Sequence, residues 1–191
     1  MEAALKLDSY YTYADYCTWD NGERWELING EAYAMAPSPT EGHQSLLLKI
    51  ARQLGDFLDG KPCRVYVAPF DVRLNPDGAD DTVVQPDILV VCDKSKLEGG
   101  KGVTGAPDFV VEILSPSSLR HDLITKFRLY QRSGVREYWI VDPESKTVMT
   151  HVFHESGAKF VSAAYDETDH AAPIEVLEGC TINLTEVFDG L

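Results

Sequence analysis

Apolar positions along this chain follow two different periods, and each predicts its own kind of element. A helical spacing of about 3.6 residues marks one segment that opens at His43 and ends near Gly60, and another from Ser115 to Gly134. Their apolar stripes consist of Leu46, Leu47, Ile50, Leu54, Phe57 and Leu58 in the first segment and of Leu119, Leu123, Phe127 and Tyr130 in the second. Tyr130 is expected to pack with the rest of its stripe. A short helix is also predicted over 11–19.

The strongest strand signal lies near the N-terminus, where Asn-Gly at 29–30 separates two strand-like runs. Asn-Gly between such runs is the sequence typical of a two-residue β-hairpin turn. That turn pairs Ile28 with Glu31 and Glu26 with Tyr33. Because cross-strand partners share a face, Glu26 and Glu31 are predicted to point the same way.

Runs rich in β-branched and aromatic residues predict the remaining strands. These runs cover 64–68, 71–74, 83–91, 109–114, 135–141, 147–153 and 158–163. An edge strand and a short terminal helix are predicted between Pro173 and Leu191. This order of elements predicts an α/β or α+β fold, with a mixed central β-sheet flanked by helices and an N-terminal hairpin. The length of 191 residues suits one domain over 1–191.

Composition narrows the range of functions. Lys and Arg number 17 against 31 Asp and Glu, and the net charge of −14 argues against binding an extended polyanion over the whole surface. A local basic groove remains compatible with that charge. No signal-peptide pattern opens the chain and no apolar run approaches the ~18 residues of a membrane span, so we expect a soluble cytoplasmic protein without a membrane partner.

The cysteines are widely spaced and lack any C-x-x-C pattern. We therefore expect neither a zinc cluster nor a redox pair, but four reduced thiols in a cytosolic protein. The cysteines are Cys17, Cys63, Cys92 and Cys180.

Two acidic residues interrupt apolar runs that predict buried strands, Asp87 in 83–91 and Glu112 in 109–114. Taking a carboxylate out of water is costly unless it is paired, hydrogen-bonded or bound to a metal. If the two strands are neighbours in the sheet, as consecutive strands usually are, the acids converge on one partner. Mg²⁺ or Mn²⁺ suits that role, since hard cations take oxygen ligands and often use one or two carboxylates with water and phosphate. Such an ion supports phosphodiester hydrolysis.

Hydrolysis of this kind also needs a cation that holds the attacking water or steadies the transition-state charge. Many metal nucleases carry a lysine two residues after the second acid, but here that position is the apolar Leu114. The nearest lysine downstream is Lys126, one helical turn after Asp122 and one before Tyr130. Its four-carbon stem lets the ammonium reach back to the end of the Glu112 strand, so Lys126 is the candidate.

An ordered set of motifs resembles a known family. The set comprises Trp25-Glu26-Leu27-Ile28-Asn29-Gly30-Glu31, the helix opening at His43, Pro86-Asp87, Glu112-Ile113-Leu114-Ser115-Pro116-Ser117, Asp122, Lys126 and the run from Gly134 to Pro143. Over about residues 10–155 it resembles the Uma-two-type family of predicted endonucleases, in the PD-(D/E)XK, restriction-endonuclease-like superfamily. The resemblance implies a mixed sheet flanked by helices, a divalent-metal site from Asp87 and Glu112, and a catalytic lysine, Lys126, that has moved to the helix. It also implies that Glu26 or Glu31 is an auxiliary acid near the metal.

The helix that carries Lys126 is cationic within an acidic chain, with Arg120, Arg128 and Arg132 as candidate DNA contacts. Such residues give salt-sensitive, sequence-independent attraction to phosphate. A solvated helix face that balances acids elsewhere explains the same charges.

The leading hypothesis is an endonuclease that uses Mg²⁺ or Mn²⁺ to cleave DNA, as a homodimer because two cuts on a duplex suit two-fold symmetry. Two alternatives stay open. One is a catalytically inactive nuclease-fold module for binding or regulation, which the net charge and the apolar Leu114 favour. The other is a metal-dependent hydrolase of a small phosphorylated molecule. His43 is either a local hydrogen-bonding residue or a ligand or acid-base group.

Overall fold

The structure is a computed structural model that describes residues 9–20, 22–35, 38–116, 119, 121–154 and 159–191. Its helices are α1 (Tyr13–Tyr16), α2 (Glu41–Leu58), α3 (Phe127–Ser133) and α4 (Leu184–Phe188), and a π-helical turn, His121–Lys126, leads directly into α3. Its strands are β1 (Trp25–Ile28), β2 (Glu31–Ala34), β3 (Arg64–Val67), β4 (Asp71–Arg73), β5 (Val83–Val84), β6 (Ile88–Val91), β7 (Gly102–Thr104), β8 (Phe109–Ile113), β9 (Glu137–Asp142), β10 (Thr147–His154), β11 (Lys159–Asp166), β12 (Ala171–Ile174) and β13 (Cys180–Asn183). Over these residues, no helix has both the length and the apolar character needed to cross a membrane.

Two mixed sheets hold most of the strands within the described residues. The larger sheet has the order β11-β10-β9-β8-β6-β3, in which β8 and β9 are parallel and the other neighbours are antiparallel. The smaller sheet has the order β2-β1-β5-β4-β7, and β12 pairs with β13 separately. The mixed α+β architecture predicted from the sequence is confirmed. The hairpin has the predicted register, with Ile28 opposite Glu31 and Glu26 opposite Tyr33.

The larger sheet is covered on both faces. One face packs against α2 and the C-terminal β12–β13–α4 unit, and the other packs against the smaller sheet and α3. The first core includes Leu46, Ile50, Phe109, Val111, Trp139 and Phe188, and the second includes Ile28, Val84, Val110, Leu114, Tyr130 and Tyr138. Since side chains alternate along a strand, Glu112 follows Val110 onto the face that meets the smaller sheet and α3. The seam between the two sheets therefore receives its carboxylate.

The predicted strand over 83–91 is divided between the two sheets. β5 ends at Val84 in the smaller sheet, and β6 begins at Ile88 in the larger one. Pro86 has no N–H to donate to a ladder, so strand pairing stops between them. Asp87 thus lies at a bend just before β6, with 18% of its side chain exposed, and the prediction that it sits within a buried strand is wrong.

The predicted helices differ from the structure mainly at their starts. The helix expected over 11–19 is limited to α1. Of the helix expected from Ser115, residues 117, 118 and 120 lie outside the described residues, and Ser115 and Pro116 are not helical. From residue 121 the helix is the π-helical turn followed by α3. α3 ends as predicted at Gly134, whose φ of 85° suits a residue without a side chain.

Cys63 and Cys92 form a disulfide bond, so the expectation of four reduced thiols is wrong. The antiparallel register of β3 and β6 places Arg64 opposite Val91, and the next pair outward in that register is Cys63 and Cys92. The two residues are 29 apart in sequence, and only the strand pairing brings them together. Of the other two thiols, Cys17 is exposed and Cys180 is buried.

Candidate active site

Asp87 and Glu112 meet at the end of the β6–β8 pair. Ile88 lies opposite Val111 in this antiparallel pair, and the next step of the register sets Asp87 opposite Glu112. Residues directly opposite one another share a face and have Cβ atoms about 5 Å apart. The Asp87 carboxylate also accepts the backbone N–H of Ile113 at 2.8 Å. The structure therefore brings together the two acids singled out in the sequence.

His43 approaches Asp87 from the first turn of α2. The Thr40 hydroxyl caps this helix by accepting the His43 N–H at 3.2 Å, and the ring Nε2 of His43 lies 3.2 Å from Asp87 Oδ2. Burial lowers the pKa of His43, but the Asp87 carboxylate outweighs burial and raises it above its ordinary value. The imidazole and the Ile113 amide thus both contact the same oxygen of Asp87, Oδ2.

Glu112 is buried and has two donors on one oxygen. Its Oε1 accepts a hydrogen bond from Lys126 Nζ at 2.9 Å and another from the Tyr130 hydroxyl at 2.8 Å. Tyr130 packs in the core as expected, yet it also orients the carboxylate. The apolar stripe of the sequence did not reveal that second role.

The π-helical turn places Asp122 and Lys126 together on its buried side. Asp122 is 2% exposed and Lys126 is 4% exposed, and Asp122 Oδ1 lies 3.6 Å from Lys126 Nζ. Such wide turns occur mostly as single turns within α-helices, often at functional sites. Asp122 was not a predicted site residue, although its position four residues before Lys126 was the signal that could have identified it.

Glu26 completes the enclosure of the lysine from the smaller sheet. Its Oε1 lies 2.9 Å from Lys126 Nζ and accepts the backbone N–H of Gln85 at 2.9 Å. Its Oε2 lies 3.4 Å from Nε2 of His121, a residue that no sequence pattern indicated. Lys126 therefore bridges a carboxylate of each sheet, because Glu112 belongs to β8 and Glu26 to β1.

Glu31 lies outside this cluster, although it shares the predicted face with Glu26. It is exposed at the start of β2, and its Oε2 accepts a hydrogen bond from the Tyr33 hydroxyl at 2.7 Å. The sequence left Glu26 and Glu31 as alternatives, and the geometry favours Glu26.

Three carboxylates surround the single ammonium of Lys126, so negative charge exceeds positive charge in this cluster. Burial raises the pKa of Glu112 well above its ordinary value; neighbouring carboxylates raise it further, and Lys126 opposes them. Burial acts in the same direction on Glu26, but Lys126 and hydrogen-bond donors outweigh it, and the pKa of Glu26 falls to about 2. Glu26 is thus the stable anion beside the ammonium, and Glu112 is the acid whose charge the site supports least.

Two of the predicted DNA contacts lie on the exposed side of α3. Arg128 and Arg132 are both exposed, and they are four residues apart on one helix face. Arg132 donates a hydrogen bond to the side chain of Asn29 in the hairpin turn. Arg120 lies outside the described residues.

This fold, with two acids at the end of neighbouring strands and a lysine that reaches them from the π-helical turn, is that of restriction-endonuclease-like proteins. The sequence profile of the Uma2 family, described as "Putative restriction endonuclease", matches residues 11–185. The chain belongs to that family, and the resemblance found in its motifs is confirmed.

Two individual proteins are also similar to this chain. It is 26% identical over 145 residues to the uncharacterized protein slr1290 of Synechocystis sp., and the match covers 74% of this chain and 73% of that protein. A crystal structure from Anabaena variabilis, described as a putative nuclease belonging to DUF820, matches with a TM-score of 0.74 at 18% identity. That match covers 93% of this chain and 97% of the other, and at this identity it shows the shared fold.

Proposed function

We propose that this protein is an endonuclease that uses Mg²⁺ or Mn²⁺ to hydrolyse phosphodiester bonds of DNA. One observation carries the proposal: Asp87, at the bend before β6, lies opposite Glu112 of β8 by extension of the β6–β8 register, and the Lys126 ammonium is 2.9 Å from a Glu112 oxygen. Membership of the Uma2 family supports the same class of reaction.

The donor set at the β6–β8 end fits a hard divalent cation. Over the described residues, no group of three or more His, Cys, Asp or Glu side chains has a metal-binding arrangement, so Asp87 and Glu112 would hold the ion as a pair. Mg²⁺ is often bound by one or two carboxylates, with water and phosphate in the remaining positions. The raised pKa of Glu112 supports the fit, since a buried carboxylate among other acids gains stability from added positive charge. Such an ion would polarise a phosphoryl oxygen and lower the pKa of a bound water.

Lys126 acts as a fixed positive charge. Burial lowers its pKa, but Glu112, Glu26 and Asp122 together raise it well above its ordinary value, so the ammonium keeps its proton at neutral pH. A protonated ammonium donates hydrogen bonds and accepts no proton. Its part in the reaction is to hold the attacking water or to stabilise the charge that develops on the phosphate.

The remaining polar groups of the site hold these three side chains in place. Tyr130 orients Glu112 through its hydroxyl, and the Ile113 amide orients Asp87. Glu26 positions Lys126 from the opposite sheet. Groups of this kind matter because a displacement of about 1 Å at a reacting centre can cost about 100-fold in rate.

A plasmid-nicking assay tests the proposal. Supercoiled DNA is incubated with the wild-type protein and with Asp87→Asn, Glu112→Gln and the exposed control Glu144→Gln, each with Mg²⁺ or Mn²⁺. We expect the nicking rate of the two site variants to fall at least about 100-fold, since substitution of residues that only hydrogen-bond to metal ligands already costs about 10–100-fold. The control variant and the wild type should cleave equally, and a chelator should stop both.

Three results would contradict the proposal. Cleavage that persists in Asp87→Asn or in the presence of chelator removes the metal site from the reaction. Calorimetry with Mn²⁺ adds a second measurement: no binding, or binding that Glu112→Gln leaves unchanged, favours a catalytically inactive module. If nucleotides are hydrolysed faster than DNA, the substrate is a small phosphorylated molecule.

A further inference from the structure

β11 ends the larger sheet on one side and presents an open edge. It pairs with β10 along its whole length, from Lys159 opposite His154 to Asp166 opposite Thr147. Its other side adjoins no strand of the described sheet. The middle of the strand, Ser162, Ala163 and Ala164, is exposed.

Two hydrogen bonds show which backbone groups of β11 face this edge. The Phe160 N–H donates to Gln131 Oε1 at 3.1 Å, and the Asp166 N–H donates to Asp169 Oδ2 at 2.9 Å. Both donors therefore point away from β10. Because backbone groups alternate sides along an antiparallel strand, those of Ser162 and Ala164 point outward as well.

The middle of this edge lacks the usual protection against pairing. Exposed edges are commonly blocked by proline, by central charges or by bulges. From 159 to 166 the sequence has no proline, its charges stand at the two ends, and its pairing with β10 is continuous. Gln131 and Asp169 cover the ends, and Ser162 and Ala164 stay accessible between them.

We propose that β11 pairs with β11 of a second copy of this chain, antiparallel, about a two-fold axis at Ala163. In an antiparallel pair, outward-facing residues of one strand bond outward-facing residues of the other. An axis at Ala163 sets Ser162 of each copy opposite Ala164 of the other, so the uncovered groups satisfy one another. An axis at Ser162 instead requires the Phe160 N–H, which Gln131 already occupies.

The side chains of β11 fit the same register. Val161, which is 52% exposed, faces Tyr165 of the second copy, an aliphatic and aromatic pair that stabilises antiparallel strands. Ala163 meets itself on the axis, where a small side chain permits close approach. The basic start of the strand, Lys159, lies against the acidic end of the other copy, which contains Asp166 and Glu167. A self-complementary edge of this kind is what a two-fold dimer requires.

A proline substitution tests the pairing without disturbing the fold. Ala164→Pro removes an N–H that faces outward, so the hydrogen bonds between β10 and β11 stay intact, and edge strands tolerate proline. Analytical ultracentrifugation should show a dimer for the wild type and for the matched control Ala164→Ser. We expect the dimer dissociation constant to rise at least about 10-fold in Ala164→Pro, with an unchanged circular dichroism spectrum.

Cross-linking across the axis tests the register independently. The backbone groups of Ala163 point toward β10, so its pair with Ala163 of the second copy is a non-hydrogen-bonded pair. The two Cα atoms should therefore lie about 4.5 Å apart, within the range of a disulfide. In a Cys17→Ser background, Ala163→Cys should therefore form a covalent dimer on oxidation. The control Lys159→Cys should not, because the register sets its two copies eight residues apart along the strands, roughly 27 Å.

A wild-type protein that is monomeric at all concentrations overturns the proposal, whatever its nuclease activity. So does a dimer that withstands Ala164→Pro and gives no cross-link at Ala163→Cys, since its contact then lies elsewhere. A protein that is monomeric alone and gains a strand from a different protein is also a contrary outcome.

Discussion

At the scale of single residues, Lys126 depends on both sheets. Its ammonium lies 2.9 Å from Glu112 on β8 and 2.9 Å from Glu26 on β1. A lysine buried to this extent is stable because acids on both sides compensate the loss of its hydration. The position of this candidate catalytic cation is thus set by the packing of the two sheets, and in the proposed reaction a change at Glu26 would act through Lys126.

Substitution of the two hairpin acids, Glu26 and Glu31, tests whether Glu26 positions Lys126. Glu26→Gln keeps the shape of the side chain but removes the charge that holds Lys126, so we expect the nicking rate to fall about 10–100-fold. Glu31→Gln, on the same face of the same hairpin, should stay within about twofold of wild type, because its partner is the Tyr33 hydroxyl. Rates are measured at saturating Mg²⁺, with thermal melting as the check on folding. Equal losses in the two variants would contradict the assignment.

At the scale of elements, a buried carboxylate joins the larger sheet to the C-terminal unit. Glu137, at the start of β9, accepts the Trp139 indole N–H at 2.6 Å and the Val176 backbone N–H at 2.9 Å. Burial raises its pKa to about 7, although both hydrogen bonds favour the charged form. The Glu137 carboxyl, which connects β9 to the turn before β13, therefore changes its protonation near neutral pH.

This carboxyl should make the folded state less stable as pH rises. Its pKa is about 7 in the folded protein against 4.5 in the unfolded chain, so the folded state binds the proton more tightly. The stabilisation is complete below pH 4.5, declines between 4.5 and 7, and is absent above; it is at most about 3 kcal/mol. Urea unfolding of the wild type and of Glu137→Gln is measured from pH 4.5 to 8. The contribution of the carboxyl is the change with pH in the difference between their free energies of unfolding. A difference that stays constant with pH contradicts the prediction.

At the scale of the whole molecule, a net charge of −14 coexists with a cationic helix beside the site. For the proposed DNA substrate, the attraction to such a protein has to be local, and the exposed Arg128 and Arg132 on α3 are the candidates to provide it. In the proposed dimer the two-fold axis is perpendicular to the joined sheets. Both candidate sites then lie on the same side of the particle, where one duplex can meet both.

Salt dependence of DNA binding tests this distribution of charge. Each arginine that contacts a phosphate contributes about 0.9 to the slope of log affinity against log salt on duplex DNA. The double variant Arg128→Gln, Arg132→Gln should therefore lower the slope by about 2 and weaken binding equally for all sequences. Arg52→Gln on α2, where the arginine pairs with Glu186, is the matched control. An unchanged slope in the double variant removes α3 from the DNA interface.

Local patterns predicted much of this structure because their causes lie within a few residues. The Asn-Gly turn set the hairpin and its register, the leucine spacing set α2, and Gly134 set the end of α3. The candidate acids Asp87 and Glu112 were visible as charges inside apolar runs. Pro86 was visible in the sequence as well. Its effect could not be predicted, because the passage of the chain from one sheet to the other depends on which strands are available to pair.

By itself, the sequence determined the types of element, the face shared by Glu26 and Glu31, and the residues from which a site could be built, since periodicity and turn chemistry act locally. The tertiary structure decided which of those residues meet. It joined Cys63 to Cys92, placed Glu26 rather than Glu31 beside Lys126, and brought Asp122 to Lys126 and His121 to Glu26. These contacts follow from strand register and from the packing of two sheets, and both are set by residues far apart along the chain.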